Sequence, residues 1–168
     1  HGEFGNLTLN QVTGLWKYVL TENLVTVLNE WQVTTDVFTV LVTDDQGGTG
    51  TDNIVITING VNDDPVITRF ITQNMTEDDL FVTQSMNSSD VDNFSTVNYS
   101  IINAGSQQVT GNYAHGMFGS LTLNNLTGDW KYIPTNNLVT VLNEGQITTD
   151  VFVVKVTDDQ AGVGTANL

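Results

Sequence analysis

Seven carboxylates lie between positions 63 and 92: Asp63, Asp64, Glu77, Asp78, Asp79, Asp90 and Asp92. Such side chains offer the hard oxygen donors that calcium takes in sets of 6–8, in irregular geometry. Two carboxylates held ~4 Å apart repel by about 4 kcal/mol at an effective dielectric near 20, so several converge only around a cation. A solvated acidic face is the other reading of such a run. The wider chain sharpens the question, because 19 acidic side chains face only 4 basic ones, for a formal charge of −15 over 168 residues. Lys17, Arg69, Lys131 and Lys155 cannot build the basic face that a nucleic-acid partner requires. The absence of cysteine excludes disulfides, thiolate zinc sites and cysteine nucleophiles. No apolar run approaches the ~18–20 residues that span a membrane.

Other motifs carry less. Asp44-Asp45 recurs as Asp158-Asp159, and these acids either bind calcium or cap a turn. Residues 47–55 literally fit the GGxGxDxUx calcium nonapeptide. That motif works by stacking in tandem, and here it stands alone; residues 161–168 repeat it without the aspartate, so a hairpin leading into a strand is expected. Asp90-Val91-Asp92 would open an EF-hand loop, but Ser95 stands where glycine is needed and Ile101 where glutamate is needed. The only histidines are His1 and His115, and neither Gly-x-Ser-x-Gly nor His-Glu-x-x-His is present, so no enzymatic activity is expected.

The elements that must position these residues come from a repeat. Residues 1–54 align without a gap on residues 115–168, and about 38 of the 54 pairs are identical. Asn23 to Glu30 recurs unchanged as Asn137 to Glu144. The period of 114 residues suits one domain. The chain therefore reads as residues 1–61, the C-terminal half of one repeat and an incomplete sandwich; a linker at 62–65; and residues 66–168, a next repeat lacking its last strand. Within the repeat, apolar residues alternate with polar ones at period 2: Leu7 and Leu9, Trp16 and Tyr18, Phe38 to Val42, Ile54 to Ile58, and Val97 to Ile101. Such runs, separated by Asn/Asp/Gly clusters, predict antiparallel strands of a sandwich. Trp16 and Trp130 are expected in cores. Trp31, whose repeat partner is Gly145, is expected to be exposed or at a contact. Asn23 to Asn29 reads as a short helical turn or a crossover. Gly14 and Gly128 are expected to take left-handed turn positions, and Asp44 to Gly48 to form a hairpin loop. Pro65 sets the domain boundary.

Gly-x-Leu-Thr-Leu, Gly-x-Trp-x-Tyr, Leu-Asn-Glu, Asp-x-Phe-x-Val-x-Val-Thr-Asp-Asp and Ile-Thr-Ile-Asn-Gly-Val-Asn-Asp-x-Pro follow one another in this order. With Thr76-Glu77-Asp78 and Ser89-Asp90-Val91-Asp92, this pattern resembles the VCBS-type, cadherin-like repeats of very large secreted bacterial adhesins. The resemblance covers nearly the whole chain. It implies an all-β fold of tandem Ig-like, Greek-key antiparallel sandwich domains of about 7 strands each. It also implies calcium at the junctions, held by Asn62, Asp63, Glu77, Asp78, Asp90 and Asp92, with a contribution from Glu30. Asp44 is a further candidate, subject to the turn-capping alternative. The expected role is structural: an extracellular, secreted or cell-surface module of an adhesin or fibre. Its partners would be neighbouring repeats of the same chain or other copies, head to tail. A polysaccharide-binding module using Trp31 on cell-surface glycans is one alternative. A filament subunit assembling by strand complementation is another.

Overall fold

The computed structural model describes residues 1–21, 28–68, 73–76, 78–92, 95–103, 108–135 and 142–168. The Asn23 to Asn29 expectation thus falls largely outside the described residues. Among those residues the chain is all-β, with several antiparallel sheets and no helix; none is therefore long and apolar enough to cross a membrane. Contacts divide the chain into two units: His1–Asp63 with Val91–Asn93, and Asp64–Asp90 with Phe94–Leu168.

Among the described residues, the first unit contains two hairpins. Strand β1 (Gly5–Leu9) pairs with β2 (Trp16–Leu20), and β3 (Val33–Thr43) with β4 (Thr49–Asn59). Asn10 shapes the first turn: its Oδ1 accepts the Val12 and Thr13 N–H groups at 2.9 and 3.0 Å. Gly14 completes that turn at φ 71°, the left-handed region predicted for it. The second turn is the expected Asp44 to Gly48 loop, with the Asp44 N–H donating to the Gly48 carbonyl.

The second unit carries the well-packed core. Its larger sheet runs in the order β6 (Val82–Ser85), β12 (Asp129–Pro134), β11 (Gly119–Leu123), β10 (Tyr113–His115) and β9 (Val109–Thr110). A smaller sheet runs β14 (Val163–Asn167), β13 (Val153–Asp158) and β8 (Val97–Asn103), and β5 (Val66–Ile67) pairs with β7 (Ser88–Ser89). Alternation decides which side chains turn inward. Val154 and Val156 on β13, Leu121 and Leu123 on β11, and Trp130 on β12 are buried, together with Met86, Tyr99 and Ile101. Two sheets enclosing one apolar core are consistent with a β-sandwich. Pro65 at the start of this unit is fully buried.

The copies agree register for register. Leu7 faces Tyr18 and Leu9 faces Trp16, as Leu121 faces Tyr132 and Leu123 faces Trp130. They part company in burial. Trp130 is a core residue as expected, whereas Trp16 is exposed, which corrects the expectation of a core position for it. The cause is local: β12 has β6 beside it and Tyr99 and Met86 over the turn, while β2 has only β1 among the described residues.

The turn glycines report the same difference and supply a test. Gly14 and Gly128 share φ values of 71° and 73°. A Cβ on Gly14 meets nothing within 4 Å, while one on Gly128 lies 2.7 Å from the Met86 carbonyl and 3.1 Å from the Tyr99 ring. Gly14→Ala is expected to cost only the left-handed backbone penalty, about 1–2 kcal/mol. Gly128→Ala should cost roughly twice that, because backbone must also shift. Urea unfolding of the two variants measures the difference; equal losses contradict it.

Candidate functional site

The carboxylates singled out by the sequence fall into different local environments. Asp63 and Asp92 are brought together within the first unit, where the Asp63 N–H donates to Asp92 Oδ2 at 2.8 Å. Asp92 is buried, and Asn62 beside Asp63 is half-buried. Asp90 belongs to the second unit and is half-buried, its Oδ2 accepting the Ser95 hydroxyl at 2.9 Å. Asp78 sits exposed in a turn, and Glu30 half-buried in another. Glu77 lies outside the described residues. Among the described residues, no group of three or more His, Cys, Asp and Glu side chains is gathered around a point that could hold a metal ion.

Several acids serve their own loops. Asp44 Oδ1 accepts the Gln46 and Gly48 N–H groups at 2.9 and 2.6 Å. Its repeat partner Asp158 accepts the Gln160 and Gly162 N–H groups at 2.8 and 2.7 Å. This is the turn-capping geometry that short carboxylates favour. Asp79 takes both the N–H and the hydroxyl of Thr76, and the backbone N–H foremost holds its carboxyl below the ordinary range. Asp64 Oδ1 accepts the Val163 N–H at 2.9 Å, fastening the start of the second unit to β14. The donors at Asn62, Asp63 and Asp92 are all oxygens of the hard type calcium takes, so their chemistry suits that ion.

The most organised polar arrangement lies elsewhere and occurs once per repeat. Asp36, buried on β3, accepts the Glu3 N–H at 2.7 Å, the Phe4 N–H at 3.2 Å and the Tyr18 hydroxyl at 2.7 Å. Asp150 accepts the Met117 N–H at 2.6 Å, the Phe118 N–H at 3.0 Å and the Tyr132 hydroxyl at 2.8 Å. The glycines of the His-Gly-x-Phe-Gly segment make room for it. A Cβ on Gly2 or Gly116 would fall inside the carboxylate, and one on Gly5 or Gly119 inside the tyrosine ring. Phe38 and Phe152 then pack edge-on against those rings at 6.0 and 6.1 Å. The signal was present in the sequence as Thr-Thr-Asp-Val-Phe, kept in both copies, but counting acids near the linker gave it no weight.

Electrostatics follow from this geometry. Burial pushes the Asp36 carboxyl up, but the Tyr18 hydroxyl and the Phe4, Glu3 and Gly5 N–H groups outweigh it and hold the carboxyl below its ordinary value. Burial, then the hydrogen bond to Asp36, pushes the Tyr18 hydroxyl up to about 12. Burial and Asp150 push Tyr132 up in the same way. The exposed His115, whose Nδ1 is 3.1 Å from Ser120 Oγ, is replaced in context by a His1–Asn6 pair in the first copy. No protein-family model matches the chain, and no curated protein matches it significantly.

The node predicts a stability profile. A depressed carboxyl stabilises fully above its ordinary value of 3.8, and the stabilisation is lost as pH falls below that through the folded value. A raised tyrosine stabilises fully below its ordinary 10.0, and the stabilisation is lost as pH rises toward about 12. Thermal melts of Tyr18→Phe should lose part of the alkaline limb but retain an acid one. Asp150→Ala, which strands two N–H groups and a hydroxyl, should cost roughly 2–4 kcal/mol in urea unfolding. A loss under ~0.5 kcal/mol would show that the node is ornamental.

Proposed function

We propose that the chain is a segment of an extracellular, calcium-responsive structural repeat, of the cadherin-like, Ig-like sandwich kind, serving a secreted or cell-surface adhesin or fibre. Its work is mechanical: to extend, and to become stiffer at the Asn62–Pro65 linker when calcium is present. The observation that carries this reading is the buried Asp92 carboxylate, fastened to the linker at the Asp63 N–H. That contact sets a carboxylate beside the oxygens of Asn62 and Asp63, donors of the hard type that calcium takes. Asn62, Asp63 and Asp92 are the central ligands in this proposal, with Glu77, Asp78, Asp90 and Glu30 as further oxygen donors. Support also comes from the repeat itself, in which backbone register and the Asp–Tyr node recur at a spacing of 114 residues.

An extracellular site of ordinary affinity has a Kd of about 0.1–1 mM. Calcium at roughly tenfold that concentration adds about 1.4 kcal/mol per site. The melting temperature should therefore fall on chelation and recover when calcium, and not sodium, is restored. Asp92→Asn keeps an oxygen acceptor for the Asp63 N–H but removes the charge, and should abolish the response. Identical melting curves in calcium and in excess chelator would overturn the proposal.

A second reading, a polysaccharide-binding module, is favoured by Trp31. Its side chain is 84% exposed and its φ is 69°, where a non-glycine residue is strained. Gly145 holds the same turn at 81° without strain. Trp31→Gly should raise stability by about 1 kcal/mol. If it also removes retention on a polysaccharide matrix, the indole stacks on sugar; unchanged retention eliminates Trp31 from any such role.

A further inference from the structure

Asn59-Gly60 is the single Asn-Gly pair among the 168 residues. Glycine leaves the backbone nitrogen that follows an asparagine open to the neighbouring carboxamide, so this pair is the one most prone to lose ammonia and become a modified residue. The fold demands the glycine. A Cβ on residue 60 would stand 2.1 Å from the Asn29 carbonyl oxygen and 2.7 Å from that of Leu28. The same fold holds the reacting atoms apart. Asn59 is the last residue of β4 and lies opposite Val33 in the β3–β4 ladder. The Gly60 N–H donates to the Gln32 carbonyl at 2.8 Å, one step beyond that pair. Ring closure needs the Gly60 nitrogen to give up its proton and to turn toward the Asn59 carboxamide carbon, out of the extended geometry of a strand. A nitrogen bonded to Gln32 at the end of a paired ladder does neither.

We propose that Asn59 is a deamidation site gated by the end of the β3–β4 hairpin, silent while the Gly60 N–H rests on Gln32 and reactive once that end opens. In the open state the Gly60 nitrogen loses its proton to solvent hydroxide and attacks Asn59 Cγ. The new N–C bond closes a succinimide, the Cγ–Nδ2 bond breaks, and the side-chain nitrogen takes a proton from water and leaves as ammonia. Water then adds to either imide carbonyl, leaving aspartate or isoaspartate at position 59. Either product adds a carboxylate close before Asn62 and Asp63. Isoaspartate also lengthens the main chain by a methylene, so Gly60 no longer meets Gln32 in register. The change is irreversible, and a chain whose hairpin end has opened keeps a chemical record of it. All the groups involved lie in the first unit and no cation takes part, so the site stands or falls separately from the linker proposal.

The test incubates the intact 168-residue chain and a peptide of residues 55–64 side by side in the same mildly alkaline buffer. Mass spectrometry of proteolytic fragments follows conversion at Asn59, and hydrogen exchange measures protection of the Gly60 amide. Local opening governs both rates. The folded chain is expected to deamidate at least tenfold more slowly than the peptide, by the same factor as its Gly60 amide is protected. Val33→Gly, at an exposed position opposite Asn59, weakens the ladder where it guards the site and should speed deamidation at least threefold. Thr43→Gly weakens the far end of the same ladder and should leave the rate unchanged. Equal rates in chain and peptide overturn the proposal. Protection of the Gly60 amide without slower deamidation overturns it as well, because the reaction then does not pass through hairpin opening. Equal acceleration by Thr43→Gly and Val33→Gly also overturns it, since global unfolding rather than the hairpin end would then be the gate.

Discussion

One carboxylate per repeat, Asp36 in the first copy and Asp150 in the second, ties together segments distant in sequence. Asp36 ties the loop at Glu3 and Phe4 to the β3 strand and draws the Tyr18 hydroxyl across from β2. Asp150 does the same with Met117, Phe118 and Tyr132. Three segments distant in sequence therefore meet at one side chain, and the two hairpins of each repeat cannot drift apart without exposing a charge-assisted set of hydrogen bonds. The node also dictates sequence around it. Glycine is required twice, at the carboxylate and at the ring, and an aromatic partner at Phe38 or Phe152 fills the remaining side. The most regular motif of the chain is thus the imprint of one interaction.

Strand positions were legible because the physics that sets them is local. Period-2 alternation placed β1 to β4 and β8, and the left-handed turns at Gly14 and Gly128 followed from glycine's missing Cβ. The node was not legible in the same way. Its donors are backbone N–H groups, which carry no residue identity, and its acceptor is one aspartate among many. The fate of Trp16 was not legible either: alternation says which way a side chain points, not whether another strand lies there to receive it.

Left-handed turns show how far backbone outranks side chain in this repeat. Trp31 and Gly145 hold one such turn at 69° and 81°, and Gly47 and Ala161 hold another at 86° and 73°. In each pair one copy has glycine and the other does not, and the turn survives. Ala161 holds the same strain with only a methyl side chain, so strain at Trp31 is by itself no mark of binding. The indole's exposure is what separates the two cases.

The charge of −15 acquires a different meaning once each acid is located. Asp36, Asp44, Asp52, Asp64, Asp79, Asp92, Asp150 and Asp158 all accept backbone N–H groups. These carboxylate oxygens thus find hydrogen-bond donors within the chain itself. Much of the apparent need for a counter-ion is therefore met by the backbone in loops and turns. What is left for calcium is narrower than the count of acids suggested. Asp44 and Asp158 share one turn-capping role, and repetition of an acid between copies marks turn chemistry as readily as it marks a metal. Asp92 is the acid that remains distinctive, because it is buried and because the backbone it holds is the linker itself.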